Sequence, residues 1–238
     1  MRGSEQLRAA IAPLIAVALL LSPIAASAQT MDRDNPSCPS ALDFSNYRQM
    51  RLTPHQADGR RVLLAEGMID DDLLPRLEAA LSEHQDIGEI WFRSPGGNAR
   101  VGNQAGRMIR EAMMVTRVPA GWACFSACNF LFMGGAARYV DAGGHFVVHM
   151  FTHTQDREAI RAEVAQGEAN TIGLISEIEQ QSALLASEDN DFLIRMGVSR
   201  DLLTQIMYRT RAVADSQDRA TRRCLTQEEV RRYNVVND

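Results

Sequence analysis

The stretch Ile87-Gly88-Glu89-Ile90-Trp91-Phe92-Arg93-Ser94-Pro95-Gly96-Gly97 decides how the rest of the chain is read. A short, largely apolar run of strand length leads straight into Pro-Gly-Gly, and a helical pattern then continues to about Met113. The same strand-then-helix alternation extends outward in both directions. Upstream, Val62 to Ala65 reads as a strand. Asp70 to Leu81 reads as a helix, with Leu73, Leu74, Leu77 and Leu81 at helical spacing and Asp70–Asp72 at its positive end. Downstream, Met114 to Val118 is strand-like, Phe125 to Met133 helical, and Tyr139-Val140 and Phe146 to His149 are again strands. Repeated units of this kind imply parallel pairing and an α/β layered fold.

The flanks are read less sharply. Residues 29–58 are polar and turn-rich, with Asn35-Pro36 and Cys38-Pro39, and are expected to form an irregular N-terminal arm ahead of a domain spanning 59–238. Residues 156–187 form one long, charged, proline-free helical stretch, followed by shorter helices near 192–196 and 200–207. A polar stretch, 209–223, leads to Thr226-Gln227-Glu228-Glu229, a capping box that opens a last helix.

Composition narrows the class. The 238 residues carry 25 basic and 30 acidic side chains, a net charge of −5, and 45% of them are hydrophobic. Those values exclude a disordered chain, a collagen-like repeat and a broadly basic nucleic-acid binder. At 6% aromatic content, a stacking platform for single-stranded nucleic acid is also disfavoured.

Arg2 and Arg8 precede an apolar run from Ala9 to Leu21, and Ala26-Ser27-Ala28 follows. A basic segment, a short apolar core and an A-x-A site read as a signal peptide over 1–28, cleaved near Ala28. Pro13 and Pro23 bracket a segment too short for a spanning helix, which needs about 20 residues. No stable membrane span is expected, and the product is placed in a periplasm or secreted. In such a compartment the four cysteines, Cys38, Cys124, Cys128 and Cys224, permit two disulfides in any of three connectivities. Cys124 and Cys128 lack a matching histidine pair, so no metal site is read.

Three features at strand ends can carry chemistry, because α/β folds place their sites there. Gly96-Gly97 lets the backbone approach a ligand with amide hydrogens exposed to it. Ser126, within Cys124-Phe125-Ser126-Ala127-Cys128, stands between a strand-like stretch and a helix, where a serine is either an N-cap or a nucleophile. His149 ends an apolar strand, with His145 and His153 as competing candidates.

In this order and spacing the chain resembles the Clp-type serine protease branch of the Clp/crotonase superfamily. The closer likeness is to exported bacterial members with a Cys-x-Ser-Ala-Cys segment. The matching residues are Phe92 to Gly97, Cys124 to Cys128, Leu131-Phe132-Met133-Gly134-Gly135-Ala136-Ala137-Arg138 and Val147-Val148-His149, with weaker similarity running to Val235. The resemblance implies a spiral of β-β-α units with a long helix after the catalytic histidine. It makes Ser126 the nucleophile, His149 its general base, and Gly97 and Ala127 the oxyanion-hole amides. Trp122 departs from the pattern, since the family's usual glycine stands there. The acidic partner falls near Ile206 counted from Met196-Gly197, and near Asp218, with Asp215 beside it, counted back from Leu225 and Tyr233; Asp218 is favoured, with a Ser–His dyad or no acid at all as the alternatives.

The implied activity is ATP-independent hydrolysis of peptides or unfolded proteins, without a cofactor and with self-association into a homo-oligomer. Two alternatives stand beside it. One is acyl-CoA chemistry of the crotonase kind, disfavoured by export. The other is a catalytically degenerate member serving as a binding or assembly protein.

Overall fold

The computed structural model describes residues 30–33, 36–57, 59–150, 157–209 and 222–237. The leader reading over 1–28, His153, Asp215 and Asp218 lie outside the described residues.

The architecture is mixed α/β, as the alternation of patterns implies. The strands are β1 (Arg51–Ala57), β2 (Arg60–Glu66), β3 (Glu89–Arg93), β4 (Val115–Val118), β5 (Ala123–Phe125), β6 (Ala137–Val140), β7 (His145–Val148) and β8 (Arg223–Cys224). The helices are α1 (Leu73–Glu83), α2 (Ala99–Glu111), α3 (Cys128–Met133), α4 (Arg157–Ala165), α5 (Glu168–Met196), α6 (Asp201–Arg209) and α7 (Gln227–Arg232). One sheet has the order β1-β2-β3-β4-β6 and a second the order β5-β7-β8. Pairing is parallel except for the two end pairs, β1 with β2 and β7 with β8.

Ser94 couples the two sheets. Immediately after β3 its amide donates to Ala123 O at 3.0 Å, and Phe125 N donates to Ser94 O at 3.0 Å. The chain that leaves the first sheet is thereby bonded to β5 of the second, so the Gly-Gly turn that follows must pass beside the end of β5. Helix α2 packs on α3 at very close range. A Cβ on Gly102 would meet Ala127 O at 2.8 Å, and one on Gly106 would meet Phe130 O at 2.3 Å. Glycine on the contact face is what allows the two backbones to touch.

The main core is built by Leu63, Ile90, Phe92, Ile109, Phe132 and Phe146, all essentially inaccessible to solvent, together with their neighbours. Arg138 is also fully buried. Its guanidinium donates to Val235 O (2.7 Å), Asn234 O (3.0 Å) and Gly135 O (3.2 Å), tying β6 to the C-terminal segment. Burial, and then the charge of Arg110, pulls its pKa down to about 10, so it stays a cation at neutral pH.

Four differences from the sequence expectations have physical causes. Residues 51–57, read as part of the irregular arm, form β1. This strand lies at a sheet edge, where Pro54 and its largely polar, exposed face are tolerated. Phe125 closes strand β5 instead of opening a helix, because Ser94 and β7 supply its ladder bonds. The long helical stretch is broken at Gly167, whose φ of 112° no helix accommodates. Beyond that break α5 runs unbroken to Met196, absorbing the shorter helix expected at 192–196. The capping box is present as read: Thr226 and Glu229 satisfy each other's backbone amides.

Both disulfides are intramolecular. Cys38 is bonded to Cys224, joining the N-terminal arm to β8, and Cys124 is bonded to Cys128 across Ser126. The first sits in a small separate cluster with Phe125, Val147, Leu42 and Phe44.

Candidate active site

Strand β5 ends at Phe125 and α3 begins at Cys128, leaving two residues to reverse direction. The turn is achieved by placing Ser126 at φ 59°, in the left-handed region that a residue with a Cβ enters at a cost of about 1–3 kcal/mol. Three contacts hold it there. Ser126 N donates to Val147 O at 3.4 Å, Asn129 N donates to Ser126 O at 2.9 Å, and the Cys124–Cys128 bond closes the loop. The result turns the hydroxyl away from both elements and towards the end of β7.

His149 follows the last residue of β7, and its Nε2 lies 2.8 Å from Ser126 Oγ. When the imidazole is neutral with its proton on Nδ1, the serine hydroxyl donates to Nε2, the geometry a general base requires. The Phe125 ring packs against the imidazole at a tilt of 49°, with centroids 4.6 Å apart, and the Arg222 guanidinium lies 4.8 Å from the centroid of the same Phe125 ring. His145 stands four residues earlier on the strand, about 13 Å away at strand rise, and is not placed to serve Ser126. Burial lowers its pKa, which favours a neutral ring.

The Gly-Gly turn comes close to the serine on its other side. A Cβ on Gly96 would meet Ser126 Cβ at 2.7 Å and Phe125 O at 2.6 Å, and a Cβ on Gly97 would meet Ile69 O at 2.2 Å. With φ of 90° and 146° as well, both positions demand glycine. Neither the Gly97 nor the Ala127 amide has an acceptor among the described residues. Ser94 Oγ accepts from Gly96 N at 3.1 Å and donates to Gly67 O at 2.6 Å, fixing the turn from beneath.

A cavity of about 160 Å³ opens beside the pair, lined by Ser126, Ala127 and His149 at one side and by α5 and α6 at the other. Its walls are mainly apolar, with Phe130, Leu193 and Ile206 prominent. Beside Ser126 and His149, three polar residues line it, Asn129, Ser182 and Asp189, none singled out by the sequence. Asn129 donates from Nδ2 to Val147 O at 2.8 Å, which leaves its Oδ1 buried without a hydrogen-bond partner among the described residues. Asp189, on α5, likewise has a buried Oδ1 without one. Asn129 lies three residues after Ser126 and was legible as a neighbour. Asp189 lies 63 positions along the chain, and nothing in its local pattern marks it.

Thus Ser126 and His149 are hydrogen-bonded, Ala127 lines the same cavity, and Gly97 follows Gly96, which abuts Ser126, while Asp218 lies outside the described residues. Ile206, the other position reached by counting the acid, contributes an apolar wall of the cavity. Among the described residues no three His, Cys, Asp or Glu side chains are grouped to hold a metal ion, and no helix is long and apolar enough to cross a membrane.

No family model matches the chain, and no curated protein matches it in sequence. Among solved structures it is similar to a mutant ClpP1 from Listeria monocytogenes. The identity is 16%, the TM-score 0.45, and the match covers 74% of this chain and 88% of that one.

Proposed function

We propose that the chain is an exported, ATP-independent serine peptidase of the Clp type, hydrolysing peptides or unfolded proteins through an acyl-enzyme on Ser126. The observation that carries this reading is the 2.8 Å hydrogen bond between a left-handed serine and His149, with the Gly97 and Ala127 amides lacking acceptors among the described residues.

In the proposed reaction Ser126 Oγ attacks the scissile carbonyl carbon as its proton passes to His149 Nε2. The negative charge that develops on the carbonyl oxygen is met by the Gly97 and Ala127 amides; losing one such donor typically costs about 10²–10³ in rate. Collapse of the tetrahedral species breaks the C–N bond, and the amine leaves with the proton from His149. Water, deprotonated by the same imidazole, then attacks the ester and releases Ser126. In this reading Asp218 orients His149 by accepting from Nδ1–H.

Self-association is part of the proposal. Helix α5 buries only Phe192, Leu193 and Met196, all near its C-terminal end, and exposes Ile172, Ile175 and Leu184 along the remainder. An apolar set on an otherwise solvated helix suits a second copy of the chain.

The test is hydrolysis of unfolded casein without ATP by wild type, Ser126→Ala and His149→Ala. Loss of activity in both variants, with native circular dichroism, is expected. Activity retained in Ser126→Ala overturns the assignment. No activity in any of the three, with fully folded protein, favours the binding or assembly alternative.

A further inference from the structure

We infer that the cavity beside Ser126 selects a substrate residue with a cationic head on an apolar stem, a lysine-like side chain, and that Asp189 is the specificity-determining residue receiving that head. The inference rests on the acyl-transfer reading and names the substrate class of that site.

Three observations lead to it. The cavity is a single-residue space, well below the 300–1,000 Å³ typical of pockets for drug-sized ligands, and it begins at the proposed nucleophile. What enters it while Ser126 is being acylated is therefore one side chain, that of the residue supplying the scissile carbonyl. Second, the walls are apolar along their length, which suits the methylene stem of a long side chain. Third, the two orphaned polar atoms, Asp189 Oδ1 and Asn129 Oδ1, are both acceptors. A buried acceptor left unpaired forfeits its hydration without a replacement partner, so a site holding two of them is built for a group that brings N–H donors. A purely apolar side chain would leave both unpaired, whereas an ammonium brings three donors and the charge that a carboxylate prefers.

The electrostatic surroundings make this selection depend on pH. Burial, reinforced by the negative charge of Glu188 on the same helix, pushes the Asp189 carboxyl up to about 7. Of the cavity-lining residues the other titratable side chain is His149, at the end of β7. The charge of Asp191, two residues further along α5, is engaged by Arg195 and by Arg107 of α2. Below neutrality Asp189 is protonated, its attraction for a cation is lost, and lysine-like and neutral side chains of equal length become equivalent.

The experiment uses two peptidyl diphenyl phosphonates that differ only in the side chain at the phosphorus-bearing carbon, lysine-type against norleucine-type. In each, Ser126 Oγ bonds to phosphorus and phenoxide leaves, so the second-order labelling rate reads cavity entry without needing turnover. Taking the ratio of the two rates at each pH cancels the titration of the Ser126–His149 pair. The expected ratio is near one at pH 5 and rises through pH 7 to about 10- to 100-fold at pH 8.5, the worth of hydrogen bonds to a charged partner. In Asp189→Asn and in Asp189→Leu the ratio should fall and lose its pH dependence, whatever the absolute rate. Labelling of Ser126 with a flat wild-type ratio, or an unchanged ratio in both variants, overturns the inference and leaves the acyl-transfer reading standing. If neither phosphonate labels Ser126, the acyl-transfer reading fails and the inference goes with it.

Discussion

Cutting the two disulfides one at a time should separate what holds the fold from what holds the nucleophile. The perturbations are the paired substitutions Cys38→Ala with Cys224→Ala, and Cys124→Ala with Cys128→Ala. The bonds span 186 and 4 positions of sequence. Loop-closure entropy scales with the logarithm of the loop, giving about 5 kcal/mol for the first bond and about 2 kcal/mol for the second. For the short bond stability is the lesser effect. Ser126 sits at φ 59°, and with the tie removed the residue can relax out of the left-handed region. The driving force is the strain it carries, about 1–3 kcal/mol, so the population with Oγ facing His149 should fall by about 5- to 150-fold. The assay is the rate of labelling by a fluorophosphonate probe, measured beside urea unfolding on each variant. The long-bond pair should lose the greater stability while its folded fraction labels within a few-fold of wild type. The short-bond pair should lose less stability and most of its labelling. Wild-type labelling in the Cys124 and Cys128 variant would refute the claim that this bond holds the serine in place.

Three further outcomes are expected. If Asp218 orients His149, Asp218→Asn should cut turnover steeply, about 10⁴-fold in a worked triad, and Asp215→Asn should be nearly silent; peptide hydrolysis at saturating substrate decides. Asp189 keeps its proton to about pH 7 when folded but releases it near 3.8 when unfolded, so stability should decline as pH rises from 4 to 7, by up to about 4 kcal/mol, and then level off. Thermal unfolding should accordingly find Asp189→Asn equal to wild type at pH 4 and more stable at pH 8. Ile172→Glu with Ile175→Glu should shift the chain to a smaller species in sedimentation without altering helicity; an unchanged sedimentation coefficient removes α5 as the contact face.

Much of the site was legible because its positions are constrained by backbone chemistry. Gly96 and Gly97 follow an apolar strand and have no alternative residue that would clear Ser126 Cβ and Ile69 O, so their reading as a close approach was physical. Ser126 and His149 follow the ends of two adjacent parallel strands, β5 and β7; the alternation of strands and helices implied parallel pairing in general but not this pair. What stayed hidden depends on contacts between distant elements. β1 is defined by its partner β2 and not by its own pattern, which contains Pro54. The pairing of Cys38 with Cys224 requires β8 to lie against β7, a relation no spacing rule supplies. Asp189 enters the site because α5 forms one wall of the cavity, and a lone carboxylate on a charged helix reads as solvated until its neighbours are known. Arg138 shows the same limit: charged in sequence, it is fully buried because five backbone carbonyls converge on it from separate segments.

The central claim is that Ser126 is an activated nucleophile, and active-site labelling tests it most directly. Folded wild-type protein treated with a fluorophosphonate should gain one adduct, located by peptide mass mapping on Ser126, and both Ser126→Ala and His149→Ala should gain none. An unmodified Ser126 in folded protein with both disulfides intact, or an adduct that persists in Ser126→Ala, would contradict it.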